Sequence, residues 1–285
     1  MNMYKFPIGA MLESFRLDTK SAIETAAKLG VAGLQMYCTK GEHAPENMTK
    51  EKVSELLDMV KSNGLKFSAI CGDLGMGFGN AELNPGLIEK SKRIVDLAKE
   101  LETNIITTHI GVVPDDPSHE RYKIMQEACF ELAKYADSVG AHFAVETGPE
   151  TSLTLKAFLD SLGSKGVSVN LDPANLAMVT GDDAVEAVYN LKDYIVHTHA
   201  KDGNMLQKGN PEYIYRVVHP VPEELQGVKF FEEVPLGKGS VDFPKYLEAL
   251  SDIGYKGFLT IERECGENPV DDIALAVNFL KNIIE

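Results

Sequence analysis

The sequence predicts an α/β fold, a (β/α)8 TIM barrel in which residues 1–285 form one domain. Three observations predict it. Short apolar runs of strand length recur eight times, a helical pattern follows each run, and polar residues stand at the ends of several runs. Strands that alternate with helices indicate a parallel sheet, and eight such units close this barrel. A doubly wound open sheet is the alternative, but the first run leads into IGAMLESF, which has neither the G-x-G-x-x-G nor the P-loop pattern.

Each predicted strand is short, apolar and bounded by turn residues, as expected for a strand that is buried on both faces. In chain order the runs are FPIGAML (6–12), GLQMYC (33–38), LKFSAI (65–70), NIITTHIG (104–111), HFAVET (142–147), VSVNLD (167–172), YIVHTHA (194–200) and GFLTIE (257–262).

The segments between the strands have helical patterns. In KVSELLDMVKSNG, for example, apolar residues recur at positions i, i+3, i+4 and i+7, which makes one buried stripe. Glycines near the ends of these patterns predict helix C-caps, because glycine tolerates the left-handed backbone that stops a helix. The helical segments are 19–30, 49–64, 85–102, 119–140, 154–166, 182–193, 242–254 and 269–285, and the glycines are Gly30, Gly64, Gly140, Gly166 and Gly254.

A long segment, residues 203–238, interrupts this alternation between the seventh strand and the seventh helix. In a barrel it leaves the face on which the carboxyl ends of the strands lie. A functional lid over that face, a contact between copies in a homo-oligomer, and a passive excursion are the three alternatives.

Composition and charge limit the classes of partner. The formal net charge is −15, so the surface repels nucleic acid phosphates. No apolar run is long enough to span a membrane, and the first twelve residues lack the cationic start and apolar core of a signal peptide. The four cysteines form no C-x-x-C pair, which indicates reduced thiols. We therefore expect a cytoplasmic protein that has no nucleic acid or membrane partner.

In a barrel, the side chains at the carboxyl ends of the strands meet at one mouth, where barrel enzymes carry out their chemistry. Polar residues end the fourth to eighth predicted strands in succession. In chain order they are His109, Glu146, Asp172, Asn175, His197, His199, Lys201, Glu262 and Glu264.

Three of these residues, Glu146, Asp172 and Glu262, would bring three carboxylates to one buried mouth, where like charges repel. A divalent cation removes this conflict, and His199 at the rim of the barrel completes a four-ligand metal site. The oxygen-rich set favours Mn²⁺, Mg²⁺ or Co²⁺, with Zn²⁺ as the alternative. His197 lies two residues earlier on the same face, one layer deeper, and is expected to pack or to support a ligand.

Two residues near this site have open interpretations. His109 is either a substrate contact or a core histidine with satisfied hydrogen bonds. Lys201 either binds a substrate oxygen or phosphate, or pairs with Asp202. Glu264 lies on the same side of its strand as Glu262 and is a further candidate for substrate binding.

At these positions the sequence resembles the sugar phosphate isomerase/epimerase family, which belongs to the xylose isomerase-like TIM barrel group. The resemblance covers essentially the whole chain. The motifs that carry it are THIGVVP, AVETGPET, VNLDPANL, HTHAKDG and VPLGKGSVDFPKYLEALSDIGYKGFLTIERE. It implies that Glu146, Asp172, His199 and Glu262 hold one divalent metal ion and that the substrate is a sugar or a sugar phosphate.

Three departures from the family pattern argue against a simple ketose 3-epimerase. Asn175 replaces a frequent histidine and can contact substrate through hydrogen bonds, but it cannot act as a base. Met205 stands near the position of an arginine, and Thr147 replaces a frequent asparagine.

These residues predict a metal-dependent isomerase or epimerase that works through an enediolate. Glu146 and Glu262 are the expected proton-transfer groups, and His109, Asn175, Lys201 and Glu264 the expected substrate contacts. A keto-sugar or inosose lyase or dehydratase would use the same site. Two further alternatives, an endonuclease IV-like nuclease and a non-catalytic sugar-binding barrel, are less favoured. The nuclease needs more histidines at strand ends where this chain has Tyr37 and Cys71.

Overall fold

A computed structural model describes residues 4–218 and 220–284 of the chain. Eight parallel strands close into a barrel, which confirms the predicted fold and excludes the open sheet. These strands are β1 (Ile8–Met11), β2 (Gly33–Tyr37), β3 (Lys66–Cys71), β4 (Ile105–Thr108), β5 (His142–Glu146), β6 (Val167–Leu171), β7 (Ile195–Ala200) and β10 (Leu259–Ile261). The first and last barrel strands pair directly, with Gly9 opposite Thr260.

The helices surround the barrel and bury their apolar stripes against it. They are α1 (Thr19–Leu29), α2 (Lys50–Ser62), α3 (Asn84–Glu100), α4 (Glu120–Val139), α5 (Ser152–Leu162), α7 (Ala184–Leu191), α9 (Phe243–Asp252) and α10 (Pro269–Ile284), with a short α6 (Pro173–Asn175) that runs into a π-helical turn at Leu176–Thr180. Large side chains such as Phe158 and Tyr246 are fully buried between the helices and the strands.

The end of α5 corrects one prediction from the sequence. The helix ends at Leu162, and Gly163, not Gly166, is its left-handed C-cap, with φ of 60°. Gly166 has a different requirement, because a Cβ there would lie 2.1 Å from the backbone oxygen of Ala133. Close packing between α4 and the start of β6 therefore explains this glycine.

The long segment after β7 has secondary structure of its own in its described residues, 203–218 and 220–238. It contains an antiparallel hairpin of β8 (Asp202–Met205) and β9 (Phe231–Val234), a short helix α8 (Pro211–Ile214) and a 3-10 turn at Glu223–Leu225. Ile214, Tyr215, Phe231 and Glu233 from this segment line the cavity at the mouth of the barrel. The segment therefore contributes to the cavity wall, and both a lid function and a role in a homo-oligomer stay predictions.

Within residues 4–218 and 220–284, every helix is too short or too polar to cross a lipid bilayer.

Candidate metal centre and substrate cavity

Four side chains from neighbouring strand ends converge at the mouth of the barrel. Glu146 ends β5, Asp172 follows β6, His199 lies in β7 and Glu262 follows β10. One possible ligand atom from each lies within 4.8 Å of the other three, and all four residues are buried. The structure thus brings together the four ligands that the sequence predicts.

The two ring nitrogens of His199 have different neighbours. Nδ1 lies 3.3 Å from Asp172 Oδ2, 3.3 Å from Glu262 Oε2 and 3.6 Å from Glu146 Oε1. Nε2 lies 3.1 Å from Oε1 of Gln35. Since the amide nitrogen of Gln35 donates to Thr107 Oγ1, its oxygen is the atom that accepts from His199 Nε2–H. This bond leaves Nδ1 as the atom that faces the three carboxylates.

The side-chain amide of Asn170 also approaches His199, but it does not change the assignment of Nε2–H as the donor to Gln35. Asn170 Nδ2 lies 3.2 Å from His199 Nε2, but it also lies 3.3 Å from Glu146 Oε2, to which it donates. Oδ1 of Asn170 pairs with Nδ1 of His197 at 2.8 Å, and Nε2 of His197 pairs with Thr260 Oγ1 at 2.9 Å. His197 is therefore a buried supporting residue, as predicted.

The charges at this centre fit a divalent cation. Burial opposes charge on His199, but Glu262 and Glu146 outweigh burial and raise its pKa well above the ordinary value. Burial likewise opposes ionisation of Glu262, but Lys201 and His199 hold its pKa well below the ordinary value. The excess of carboxylates thus keeps a proton on His199, and a metal ion that displaces this proton would satisfy the same charge. The three carboxylates and one imidazole form a donor set that could hold a metal ion.

Two further polar residues hold the predicted ligands in place. Thr147 Oγ1 donates to the backbone oxygen of Asp172 and lies 2.8 Å from its amide nitrogen. Asn175 donates from Nδ2 to Glu146 Oε1 at 2.8 Å, and its backbone N–H donates to Asp172 Oδ1. Sequence reasoning missed the support given by Gln35 and Thr147. Gln35 did carry a signal, because it is the lone amide in the apolar run GLQMYC.

We expect Gln35→Leu to weaken Mn²⁺ binding by about 10- to 100-fold, because the substitution removes the hydrogen bond that orients the ligating imidazole. Calorimetric titration of the metal-free protein with Mn²⁺ measures this change. Gln126→Leu on the outer face of α4 is the matched control and should bind Mn²⁺ as the unaltered protein does. Equal affinity in the two variants would show that Gln35 has no role in holding the ligand.

A cavity of about 230 Å³ adjoins the cluster, and Glu146 and Glu262 line it. Its wall includes all the residues that the sequence predicts to bind substrate, together with polar or ionisable side chains that the sequence did not single out as substrate contacts. The predicted residues are His109, Asn175, Lys201 and Glu264, and the additional ones include Tyr37, Asp73, Tyr215 and Glu233.

His109 lies on this cavity wall and not in the barrel core. Its Nδ1 is 3.1 Å from Asp73 Oδ2, its Nε2 is 3.8 Å from Glu146 Oε1, and the ring of Tyr215 lies 5.7 Å away. Burial opposes the charged form, but Glu146 and Asp73 outweigh it and raise the pKa of His109 to about 9. His109 thus lines the cavity with its Nδ1 held by Asp73, and its contact with substrate stays a prediction.

Lys201 pairs with two glutamates, and the predicted alternative of a pair with Asp202 is wrong. Its Nζ donates to Glu262 Oε2 at 2.9 Å and also to Glu264 Oε2. Asp202 points away and accepts from backbone N–H groups of the segment that follows β9. The ammonium of Lys201 thus reaches one of the four predicted metal ligands directly.

Glu150, a few residues beyond β5, is a buried carboxyl that sequence reasoning missed. Its Oε2 accepts from Val113 N–H at 3.1 Å. Its Oε1 has no hydrogen-bond partner in the described part of the chain. Burial raises the pKa of Glu150 to about 8, although the amide of Val113 opposes the shift.

Glu150 should make the protein less stable as the pH rises. In the unfolded chain this carboxyl loses its proton near its ordinary pKa of 4.5, whereas the folded chain keeps the proton until the pH reaches about 8. Between these values unfolding releases a proton, so this group lowers the free energy of unfolding by about 1.4 kcal/mol per pH unit at most. We expect Glu150→Gln to remove this slope and to raise the melting temperature at pH 8, which thermal unfolding from pH 5 to 9 measures. The exposed Glu127→Gln is the control, and an unchanged slope in Glu150→Gln would refute this origin.

Residues 23–283 match the sequence profile of the xylose isomerase-like TIM barrel family. The chain belongs to this family. As a xylose isomerase-like TIM barrel protein, it carries its four clustered side chains on strand ends within the matched region.

Known proteins are similar to this xylose isomerase-like barrel along most of its length. A crystal structure of a xylose isomerase domain protein from Planctomyces limnophilus is 25% identical, with a TM-score of 0.78 over 99% of this chain and 97% of that one. The crystal structure of a probable 3-DHS dehydratase from Bacillus anthracis is 19% identical, with a TM-score of 0.75 over 97% and 99%. A putative L-ribulose-5-phosphate 3-epimerase of Haemophilus influenzae is 24% identical over 257 residues, which are 84% of this chain and 81% of that protein. The similar proteins thus include a putative sugar phosphate epimerase, which supports an enzyme of this kind, and a probable dehydratase, whose likeness shows the shared fold.

Proposed function

We propose that this protein is a divalent-metal-dependent isomerase or epimerase of a sugar and that Mn²⁺, Mg²⁺ or Co²⁺ is its cofactor. The observation that carries the proposal is the cluster of three carboxylates and one imidazole, buried at the base of a cavity, with ligand atoms within 4.8 Å of one another. When bound, the metal ion would polarise the carbonyl of the sugar and stabilise the negative charge that develops on it.

Glu146 and Glu262 are the proposed proton-transfer groups. They stand on β5 and after β10, and β6 and β7 lie between these strands in the barrel, so the two carboxylates approach the cavity from different sides. One takes a proton from the carbon next to the carbonyl, which gives an enediolate, and the other returns a proton. Return to the opposite face of the same carbon gives an epimer, and return to the neighbouring carbon gives an isomer.

The other wall residues orient these groups and the sugar. Lys201 keeps Glu262 ionised and so able to accept a proton, since its ammonium lies 2.9 Å from that carboxylate. His109 is placed to donate a hydrogen bond to a sugar oxygen, because its Nε2 faces Glu146 while Asp73 holds its Nδ1. Asn175 and Glu264 are the further proposed substrate contacts.

A lyase or dehydratase is the alternative, supported by the dehydratase among the similar structures. The same enediolate would then expel a leaving group in place of accepting a proton. A nuclease is disfavoured, because the cavity presents Tyr37, Cys71 and Asn175 where that chemistry uses histidines.

Proton exchange in heavy water tests the proposal. The protein is stripped with a chelator, reloaded with Mn²⁺ and incubated with a panel of ketoses and keto-sugars, and NMR follows the products. We expect solvent deuterium in an isomeric sugar, and only in the reloaded sample. Loss of water or of an aglycone would identify a lyase, and metal binding without exchange on any sugar would identify a non-catalytic barrel.

A further inference from the structure

The cavity wall carries more negative charge than the metal site alone requires. Besides Glu146 and Glu262, three carboxylates line it, namely Asp73, Glu233 and Glu264. Lys201 and His109 are the cationic side chains on this wall within residues 4–218 and 220–284. Even with a divalent ion bound and His109 charged, the wall and the ligands retain an excess of carboxylates.

Both of these cations are already paired. Lys201 is 4% exposed, and its Nζ lies between Glu262 and Glu264. His109 is held by Asp73 at 3.1 Å. A phosphate group that entered the cavity would therefore have to break an existing ion pair and leave a carboxylate without its partner, which is costly in a buried site.

Two arginines near the mouth, Arg263 and Arg16, are also engaged. Arg263 is bound by Glu233 and, through Nε at 2.9 Å, by Asp272. Arg16 uses its two terminal nitrogens on the backbone oxygens of Gly266 and Glu264, at 2.6 and 2.8 Å. A bidentate arginine clamp for phosphate would thus require that these bonds be given up.

Part of the cavity wall is apolar. Met178 and Val179, which follow α6, line it together with Ile214 and Phe231 from the segment after β7. A sugar can place its C–H faces against these side chains and its hydroxyls toward the carboxylates, whereas a phosphate dianion would lose hydration there and would meet only cations that already have carboxylate partners.

We infer that the site selects an unphosphorylated, uncharged ketose against its phosphate ester and that Glu264 is the residue that sets this preference. The inference rests on the proposed function and specifies its substrate class. Glu264 is 59% exposed at the rim, and its carboxylate both neutralises Lys201 and repels an incoming dianion. Removal of this charge would leave the Lys201 ammonium with Glu262 alone and give phosphate one available donor.

Two matched pairs of compounds test the inference on the Mn²⁺-loaded protein by calorimetry: D-ribulose with its 5-phosphate, and D-fructose with its 6-phosphate. In whichever pair binds more tightly, we expect the free sugar to bind at least about tenfold more tightly than the ester, a difference of about 1.4 kcal/mol. In Glu264→Gln the ratio should shift toward the ester by at least about threefold, within the range measured for charged pairs near a surface. Glu224→Gln, exposed in the segment after β7, should leave the ratio unchanged.

Tighter binding of the ester, an unchanged ratio in Glu264→Gln, or no binding of any of the four compounds would overturn the inference. Proton exchange distinguishes this failure from that of the proposed function. If a free sugar binds selectively but acquires no solvent deuterium, the substrate class stands and the isomerase is refuted.

Discussion

Replacement of Glu262 with Gln is expected to lower metal-dependent deuterium exchange by about 1,000-fold while the barrel stays folded. Gln has nearly the same shape and keeps an oxygen toward Lys201 Nζ, which lies 2.9 Å from the carboxylate. It has no charge with which to accept a proton, and general bases contribute on the order of 10²- to 10⁴-fold. The loss should therefore appear in turnover more than in the binding of the sugar.

The measurement must separate proton transfer from metal binding, since Glu262 is also a proposed ligand. Exchange is therefore measured at Mn²⁺ concentrations that saturate the variant, as shown by titration. Glu267→Gln in the exposed stretch after the same strand is the control. If Glu262→Gln exchanges deuterium at nearly the unaltered rate when saturated with metal, Glu262 takes no part in the chemistry.

The barrel and the positions of the four ligands could be predicted from the sequence, because both follow from local patterns. Apolar runs give the strands, and the last polar residue of a parallel strand must lie at the shared mouth. The two-residue period also separated His199, at the ligand cluster, from His197, one layer deeper and bonded to Asn170 and Thr260.

The same period shows why the pair of Lys201 with Asp202 was wrong. Consecutive residues of an extended chain point to opposite sides, so Lys201 follows His199 into the mouth and Asp202 faces outward. The ammonium then meets Glu262 and Glu264, which are adjacent on the same face of the neighbouring strand end. Charge alone suggested the partner that is nearer in sequence, and strand geometry selects the partners at the end of the neighbouring strand.

The supporting contacts could not be predicted, because they join residues that are far apart in the chain. The bond from His199 to Gln35 crosses the barrel between residues 164 positions apart. No local pattern encodes such a pair, although an amide in a buried strand requires a partner. The cover that the segment after β7 provides also depends on tertiary packing, since Tyr215 reaches His109 only when the hairpin has folded.

Asp202 anchors the segment after β7, and its replacement is expected to have the second large effect, a loss of stability. Asp202 is buried and accepts from four backbone N–H groups, those of Gly203, Gly237, Gly239 and Val241, at 2.8 to 3.2 Å. Asp202→Ala would leave these donors without partners, and a buried donor without a partner costs about 1–3 kcal/mol. Because water can reach some of them, we expect the free energy of unfolding to fall by about 3–5 kcal/mol in urea titrations.

Two further variants make this expectation specific to the anchor. Asp202→Asn keeps one acceptor oxygen but turns an NH₂ group toward two of the amides, so its loss should lie between zero and that of Asp202→Ala. The exposed Asp193→Ala should change stability by less than about 0.5 kcal/mol. A loss below about 1 kcal/mol in Asp202→Ala would mean that other contacts hold the hairpin, such as the pairing of Met205 with Phe231. The expected larger loss would mean that the hairpin of β8 and β9 depends for its stability mainly on one carboxylate, which is adjacent in sequence to Lys201.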